Sequence, residues 1–230
     1  MSEKNFDRAR FYLDEVAALG EKYGRKVRLM AVTKFRTPEE IDPVLAAGVD
    51  LVGENRPQEF RDKLAYFEQK AVEKHLIGNL QKNKLKYVVG KADLIESINS
   101  LELAAQVSAA AEKLGIVQDV LLEINSGDEE NKTGYDVSRM LEELPEIAKL
   151  THLKVRGLMS MAPQACDLEV ERVFDRAHKV FVDIIEKRID NISMDFMSMG
   201  MSSDYRLAIK HGSNIVRIGR ALFDDDFPMK

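Results

Sequence analysis

With one cysteine, Cys166, the 230-residue chain cannot form an intramolecular disulfide, which fits a reducing compartment. Cys166 then reads as a small filler or an exposed bystander. Basic residues are not in excess: 34 Lys and Arg against 39 Asp and Glu leave a formal charge of −5, with both signs mixed along the chain. That excludes a basic footprint for nucleic acid or for an anionic membrane. No stretch approaches ~18 uninterrupted apolar residues, so no segment reads as a membrane span. Met1 to Asp14 carries charges throughout and lacks the apolar core of a signal peptide, and a cytoplasmic location is expected. Neither a Gly-x-Gly-x-x-Gly nor a Gly-Lys-Ser/Thr loop is present, so dinucleotide and nucleoside-triphosphate sites lack support. His75, His152, His178 and His211 are scattered without metal-ligand spacing, and no metal is expected. The acidic run Asp128-Glu-Glu130 reads as a solvated loop.

What the chain does have is alternation. Val27–Thr33, Leu51–Gly53, His75–Ile77, Leu94–Ser97, Val120–Ile124, Val155–Met159, Phe196–Met197 and Ile215–Ile218 are short apolar runs that read as buried strands. Helical stretches separate them. Thr37-Pro-Glu-Glu40 is a capping box with proline at the first helical position, and Gly48 suits the stop. Pro43 inside this helix is expected to kink it. Ser100 opens a helix that carries Leu103, Ala104, Val107, Ala111 and Leu114 on one face and ends at Gly115. From about Leu168 to Ile189 the 3.6-residue period is kept throughout. A further helix, with Phe6, Ala9, Leu13, Val16 and Leu19 as its stripe, precedes the first strand. Strands joined by helical crossovers must pair in parallel. Eight such units in this length predict a closed (β/α)8 TIM barrel, one domain over residues 1–230 with an N-terminal helix.

Active sites of such barrels lie at the C-terminal strand ends. Those ends carry Lys34, Glu54-Asn55, Gly78-Asn79, Asn99, Asn125-Ser126, Ser160, Ser198 to Ser203, and Gly219-Arg220. Lys34 follows the apolar strand Leu29-Met-Ala-Val-Thr33, so its stem is expected to be flanked by core rather than water. A lysine so placed tends to lose its proton, and the neutral amine attacks aldehydes. A lysine snorkelling from a strand end, or serving an anion as a plain charge, fits the position as well. Ser198-Met-Gly-Met-Ser-Ser-Asp204 and Val216-Arg-Ile-Gly-Arg220 follow the seventh and eighth strands, where barrels commonly hold phosphate. There glycines let the backbone approach, and amides and serine hydroxyls donate. Two ordinary capped turns are the competing reading. Asp204 is expected to point away from any phosphate.

The segments Ala31-Val-Thr-Lys34, Gly53-Glu-Asn55 through Gln58-Glu59, His75-Leu-Ile-Gly-Asn-Leu-Gln-Lys-Asn-Lys84, Asn125-Ser-Gly-Asp-Glu, Lys132-Thr-Gly134, Arg156-Gly-Leu-Met159, Ser198-Met-Gly-Met-Ser202 and Val216-Arg-Ile-Gly219 occur in order over nearly the whole chain. Together they resemble the pyridoxal 5′-phosphate (PLP) homeostasis protein family. The resemblance implies an alanine-racemase-like barrel, the PLP fold type III barrel without its C-terminal β domain. It implies PLP held as a Schiff base on Lys34, with phosphate bound by Ser202 and the Gly219-Arg220 backbone. Arg217 is implied near the pyridine nitrogen and Asn55 near the ring, and Ser198 joins this cofactor-binding set. A cation facing that nitrogen keeps it unprotonated and weakens the ring as an electron sink, which suits a carrier. Departures are local. Glu96-Ser-Ile-Asn99 replaces a His-Ser-Val-Asp-like segment, and no role is assigned there. Asp224-Asp-Asp226 replaces a glycine after Phe223. Arg220 stands where a small hydroxylated residue is common, which leaves a backbone contact to phosphate.

A PLP carrier, acting as a cytoplasmic monomer and delivering PLP to apo PLP-dependent enzymes, is therefore expected to have no established turnover. Lys82, Lys84 and Lys132 are candidates for assisting hand-off, with plain surface solvation as the competing reading. A PLP-dependent amino-acid racemase is the alternative. It needs a base on each face of the substrate Cα. In racemases of this barrel type the second base comes from an additional C-terminal domain, for which the chain after its eighth strand has no room. Tyr135 and Tyr205 are the substitutes within this chain. A phosphate-binding barrel that lacks PLP is the third reading.

Overall fold

A computed structural model describes residues 2–127 and 134–229. Eight parallel strands close into a barrel in chain order. They are β1 (Arg28–Val32), β2 (Leu51–Glu54), β3 (Glu73–Leu76), β4 (Leu94–Ile98), β5 (Gln118–Ile124), β6 (Leu153–Ser160), β7 (Ile192–Met201) and β8 (Ile215–Ile218). Around them run the helices α1 (Ser2–Lys22), α2 (Pro38–Ala46), α3 (Pro57–Lys70), α4 (Leu101–Leu114), α5 (Val137–Ala148), α6 (Asp167–Lys187), α7 (Tyr205–Lys210) and α8 (Arg220–Phe223). Between β3 and β4 the expected α-helix is replaced by a 3-10 helix, η1 (Lys82–Tyr87), pinned by buried Leu85. No helix among the described residues is long and apolar enough to cross a membrane.

Successive strand residues fall into two packing sets. Met30, Val32, Leu51, Ile77 and Ile215 pack together around Phe196, and Leu94, Leu121 and Met159 join the same ring, filling the barrel. Their neighbours Leu29, Ala31, Val52, Val216 and Ile218 pack outward on helix residues such as Ile41, Val44 and Leu222. Burial on both faces is why these strands read as continuous apolar runs. Helix ends follow their local chemistry. The Ser100 hydroxyl accepts from the Leu103 amide at 3.1 Å, and Gly115 closes α4 in the left-handed region. The Glu40 carboxylate accepts from the Thr37 amide at 2.9 Å, and α2 runs on through Pro43. Cys166 is exposed, just before α6.

The seam of the barrel is the pairing of β1 with β8, where Met30 stands opposite Arg217. Short α7 and α8 cannot cover it alone, and α1 packs over them, with Ala9, Tyr12 and Val16 buried against both strands' outer faces. Arg8 donates to the carbonyls of Ala221, Asp225 and Phe227 at 2.9–3.1 Å. Lys4 pairs with Asp225 at 2.6 Å, so the Asp-Asp-Asp tail is held by cations of α1.

Phe174 of α6 is fully buried in the layer between barrel and helices. Phe174→Ala should cost ~3–5 kcal/mol of unfolding free energy, read from urea midpoints, because the cavity adds to the lost transfer energy.

Candidate functional site

A cavity of about 510 Å³ opens at the C-terminal end of the barrel. Its wall includes Lys34 from the end of β1, Asn55 from the end of β2, Ser202 and Asp204 from the β7–α7 turn, and Arg217, Gly219 and Arg220 from β8 and α8. Six of the seven residues expected to hold the cofactor are thus brought together. Ser198 is not among the wall residues. β7 does not end at Met197 but runs to Met201, and Ser198 pairs in register with Met159 and Ile215 inside the sheet. Its hydroxyl is fully buried below the cavity floor.

Lys34 sits on a turn closed by the Arg36 amide donating to the Thr33 carbonyl at 3.1 Å. β1 ends two residues earlier, so Lys34 is exposed in the mouth rather than sheathed in core as expected. What surrounds it is a braced backbone. Lys63 of α3 donates to the Thr33 carbonyl at 2.6 Å and to Glu54 at 2.7 Å, and the Thr33 hydroxyl donates to the same carboxylate at 2.7 Å. Burial pushes the Glu54 carboxyl up, and Lys63 and Thr33 oppose it. Phe35 follows at φ +60°, a strained conformation for a bulky residue, costing about 1–2 kcal/mol. Its amide donates to Glu59 at 2.8 Å, and the Arg56 guanidinium lies over its ring at 4.7 Å.

On the opposite side the Ser202 hydroxyl accepts from the amides of Gly219 and Ala221 at 3.3 and 3.2 Å. A Cβ at Gly219 would lie 3.3 Å from that of Val32, so the last strand packs hard on the first. Gly200 serves packing and not ligand approach: at φ +94° a Cβ there would stand 2.5 Å from Ala208 of α7. Asp204 was expected to turn away, yet it lines the cavity, because its Oδ1 folds back onto the Met201 amide at 2.6 Å. Burial pushes its carboxyl up, opposed by that amide and by Arg217 and Arg220. The Arg220 guanidinium lies over the Phe227 ring at 5.6 Å.

Arg217, buried, donates to the Ser198 hydroxyl and to the Ser160 carbonyl, each at 2.8 Å. Ser198 in turn donates to Glu96 at 2.6 Å, and the other Glu96 oxygen meets His75 Nδ1 at 2.7 Å. Sequence reasoning missed Glu96, His75 and Lys63. The signal for Glu96 was its parity, two residues after inward-facing Leu94 on β4. Tyr135 and Tyr205, weighed as a second base, lie outside the cavity wall. They donate to Glu143 at 2.9 Å and to Glu15 at 2.6 Å, and burial pushes both phenols up. Lys84 borders an adjoining polar cleft that also touches Asn55, and Lys82 is exposed. Lys132 and the run Asp128–Glu130 lie outside the described residues.

A closed parallel barrel with a lysine in the turn after its first strand and an arginine on its last, both lining one mouth, is an alanine-racemase-like barrel. The family model described as alanine racemase, N-terminal domain, matches residues 13–226. The pyridoxal phosphate homeostasis protein of Aquifex aeolicus is 37% identical over 216 residues, 93% of this chain and 94% of that protein. The one of Deinococcus radiodurans is 40% identical, covering 91% of this chain and 94% of its own length. The solved structure of PipY from Synechococcus elongatus with PLP bound superposes with a TM-score of 0.81 at 31% identity, over 91% of this chain and 98% of that one. The chain belongs to the family of pyridoxal phosphate homeostasis proteins.

Two outcomes are expected. Lys63→Met strands the buried Glu54 charge and should lower stability by about 3–5 kcal/mol in urea titrations, whereas the double change of Lys63 to Met and Glu54 to Gln should lose much less. The His75 bond holds Glu73 down at about 2, against an ordinary 4.5. A depressed carboxyl stabilises the fold above its unfolded value, and that contribution fades as pH falls from 4.5 towards 2. Stability measured across that window should fall less steeply in Glu73→Gln than in the wild type.

Proposed function

We propose that the chain holds PLP in this mouth as a Schiff base on Lys34, and that it buffers and delivers PLP rather than turning over a substrate. The observation that carries the reading is the convergence of Lys34, Asn55, Ser202, Arg217 and Gly219 on one cavity in a chain of this family. The residues suit such a guest. Asn55 Oδ1 is buried without a partner, so an amide on the wall is left to meet a bound polar group. The Ser202 hydroxyl, accepting from the amides of Gly219 and Ala221, keeps its proton to donate to a phosphate beside the Gly219-Arg220 backbone, with the Arg220 side chain turned to the tail. PLP supplies a reactive aldehyde and an electron-accepting ring.

The remaining work falls to the chain. Lys34 presents its amine from a turn that Lys63 and Glu59 hold still. Arg217, fixed on two acceptors, would supply a cation towards the ring nitrogen and so keep it unprotonated, which would restrain chemistry at bound amino acids. Ser198 orients Arg217 from below and does not touch the guest. Tyr135 and Tyr205 are committed elsewhere, which weighs against two-base racemisation. The exposed position of Lys34 suits exchange with apo PLP-dependent enzymes, with residues 1–230 acting as one domain, a cytoplasmic monomer.

Purified protein mixed with PLP should show a Schiff-base absorbance that borohydride fixes on Lys34, located by peptide mass. Lys34→Ala should lose that reducible adduct, and Ser202→Ala should bind PLP about tenfold more weakly, the worth of one charge-assisted hydrogen bond. Wild type that takes up no PLP, or Lys34→Ala with an identical reducible adduct, refutes the assignment. Amino-acid turnover by the loaded wild type would favour the racemase.

A further inference from the structure

A line of hydrogen bonds runs along the barrel axis and joins its two mouths. At the N-terminal mouth Arg28 donates to Glu73 at 2.6 Å and to Asp50 at 3.2 Å. The other Glu73 oxygen meets His75 Nε2 at 2.8 Å, His75 Nδ1 meets Glu96 at 2.7 Å, and Glu96 accepts from Ser198 at 2.6 Å. Ser198 accepts from Arg217 in the cavity. His75, Glu96 and Ser198 are 0% exposed.

With a carboxylate oxygen on each ring nitrogen, His75 satisfies both only as the imidazolium, which has two donors. The charges then alternate from Arg28 through Glu73, His75 and Glu96 to Arg217. A buried ion pair seldom outperforms well-packed apolar residues for stability, so stability is a poor reason to fill a barrel axis this way. The far end of the line is the better reason. Burial pushes the Arg217 guanidinium towards the neutral form, and Glu96 is foremost among the carboxylates that oppose it, ahead of Asp204 and Glu123. Glu96 can do so only while ionised. His75 donates to one of its oxygens, and Ser198 to the other. Burial works against the His75 imidazolium, but its bonds to Glu73 and Glu96 outweigh it.

We propose that Glu96, anchored by the His75 imidazolium, is a positioning residue that holds the Arg217 cation through Ser198 at the cavity, and so sets the potential at Lys34. The proposal rests on the PLP reading above. Removing the negative charge at Glu96 makes the site more positive and disfavours a protonated Schiff base.

The test uses the PLP-loaded full chain, following the pH midpoint of the Schiff-base absorbance. Glu96→Gln should lower that midpoint by about one pH unit, the effect of one charge at modest distance in a partly buried site. Glu96→Asp, which keeps the charge, should restore most of the shift. Nitrogen-15 spectra of the ligand-free wild type should show His75 protonated on both nitrogens at neutral pH. Should Glu96→Gln fail to fold, Ser198→Ala cuts the link without removing a charge, and PLP should then bind about five- to tenfold more weakly. An unmoved midpoint in folded Glu96→Gln, a neutral His75, or unchanged PLP binding in Ser198→Ala overturns the proposal while leaving the PLP site intact. Wild type that takes up no PLP overturns the reading of function, and the role towards the cofactor with it.

Discussion

The pairing of β1 with β8 is the constraint on which everything else depends. In an open sheet the first and last strands would lie at opposite edges, and Lys34 would be remote from Arg217, Gly219 and Ser202. Closure puts Met30 beside Arg217 and Ala31 beside Ile218, which sets the strand-one lysine next to the donors of the last strand. The seam is also where helical cover is thinnest, since α7 and α8 together have only ten residues. Helix α1 supplies the missing layer, and Arg8 fastens it to the carbonyls of the last segment. Packing at Gly219, where even one methyl group would press on Val32, keeps the seam tight at the height of the cavity.

Much of this architecture was legible in the residues. β8 was read with its observed bounds, and β1 was overread by one residue at each end, because β-branched and aliphatic runs buried on both faces leave no ambiguity about the strand. β7 was read as two residues and is ten, because Ser-Met-Gly-Met lacks the branched residues that mark a strand and resembles a loop. That misreading put Ser198 at the mouth, whereas register with Met159 and Ile215 sinks it below. The crossover after β3 was overread as a full helix, although Leu85, Val88 and Val89 supply apolar contacts for scarcely more than one turn.

Of the candidate site, the residues at strand ends were visible because barrel geometry sends them to a common rim. Invisible were the groups that act on them from a distance. Lys63 lies on α3 and reaches back to Thr33 and Glu54, and sequence spacing gives no sign of a bond across thirty residues. His75 and Glu96 sit in separate strands that become neighbours only through the β3–β4 pairing, where His75 stands opposite Leu94. A charged residue inside an apolar strand was the available hint, and the alternation of strand faces turns that hint into an axial position. Shape placed the rim, and electrostatics arranged what lies under it.

Because the cradle straddles the seam, a ligand seated there touches both edges of the closure and nothing equivalent in the unfolded chain. Occupancy and folding are then one linked equilibrium. Each tenfold excess of ligand over its dissociation constant adds about 1.4 kcal/mol to the closed form. The lifetime of the protein against proteolysis thereby becomes a gauge of the free ligand around it, lengthening when the ligand is plentiful and shortening when it is scarce.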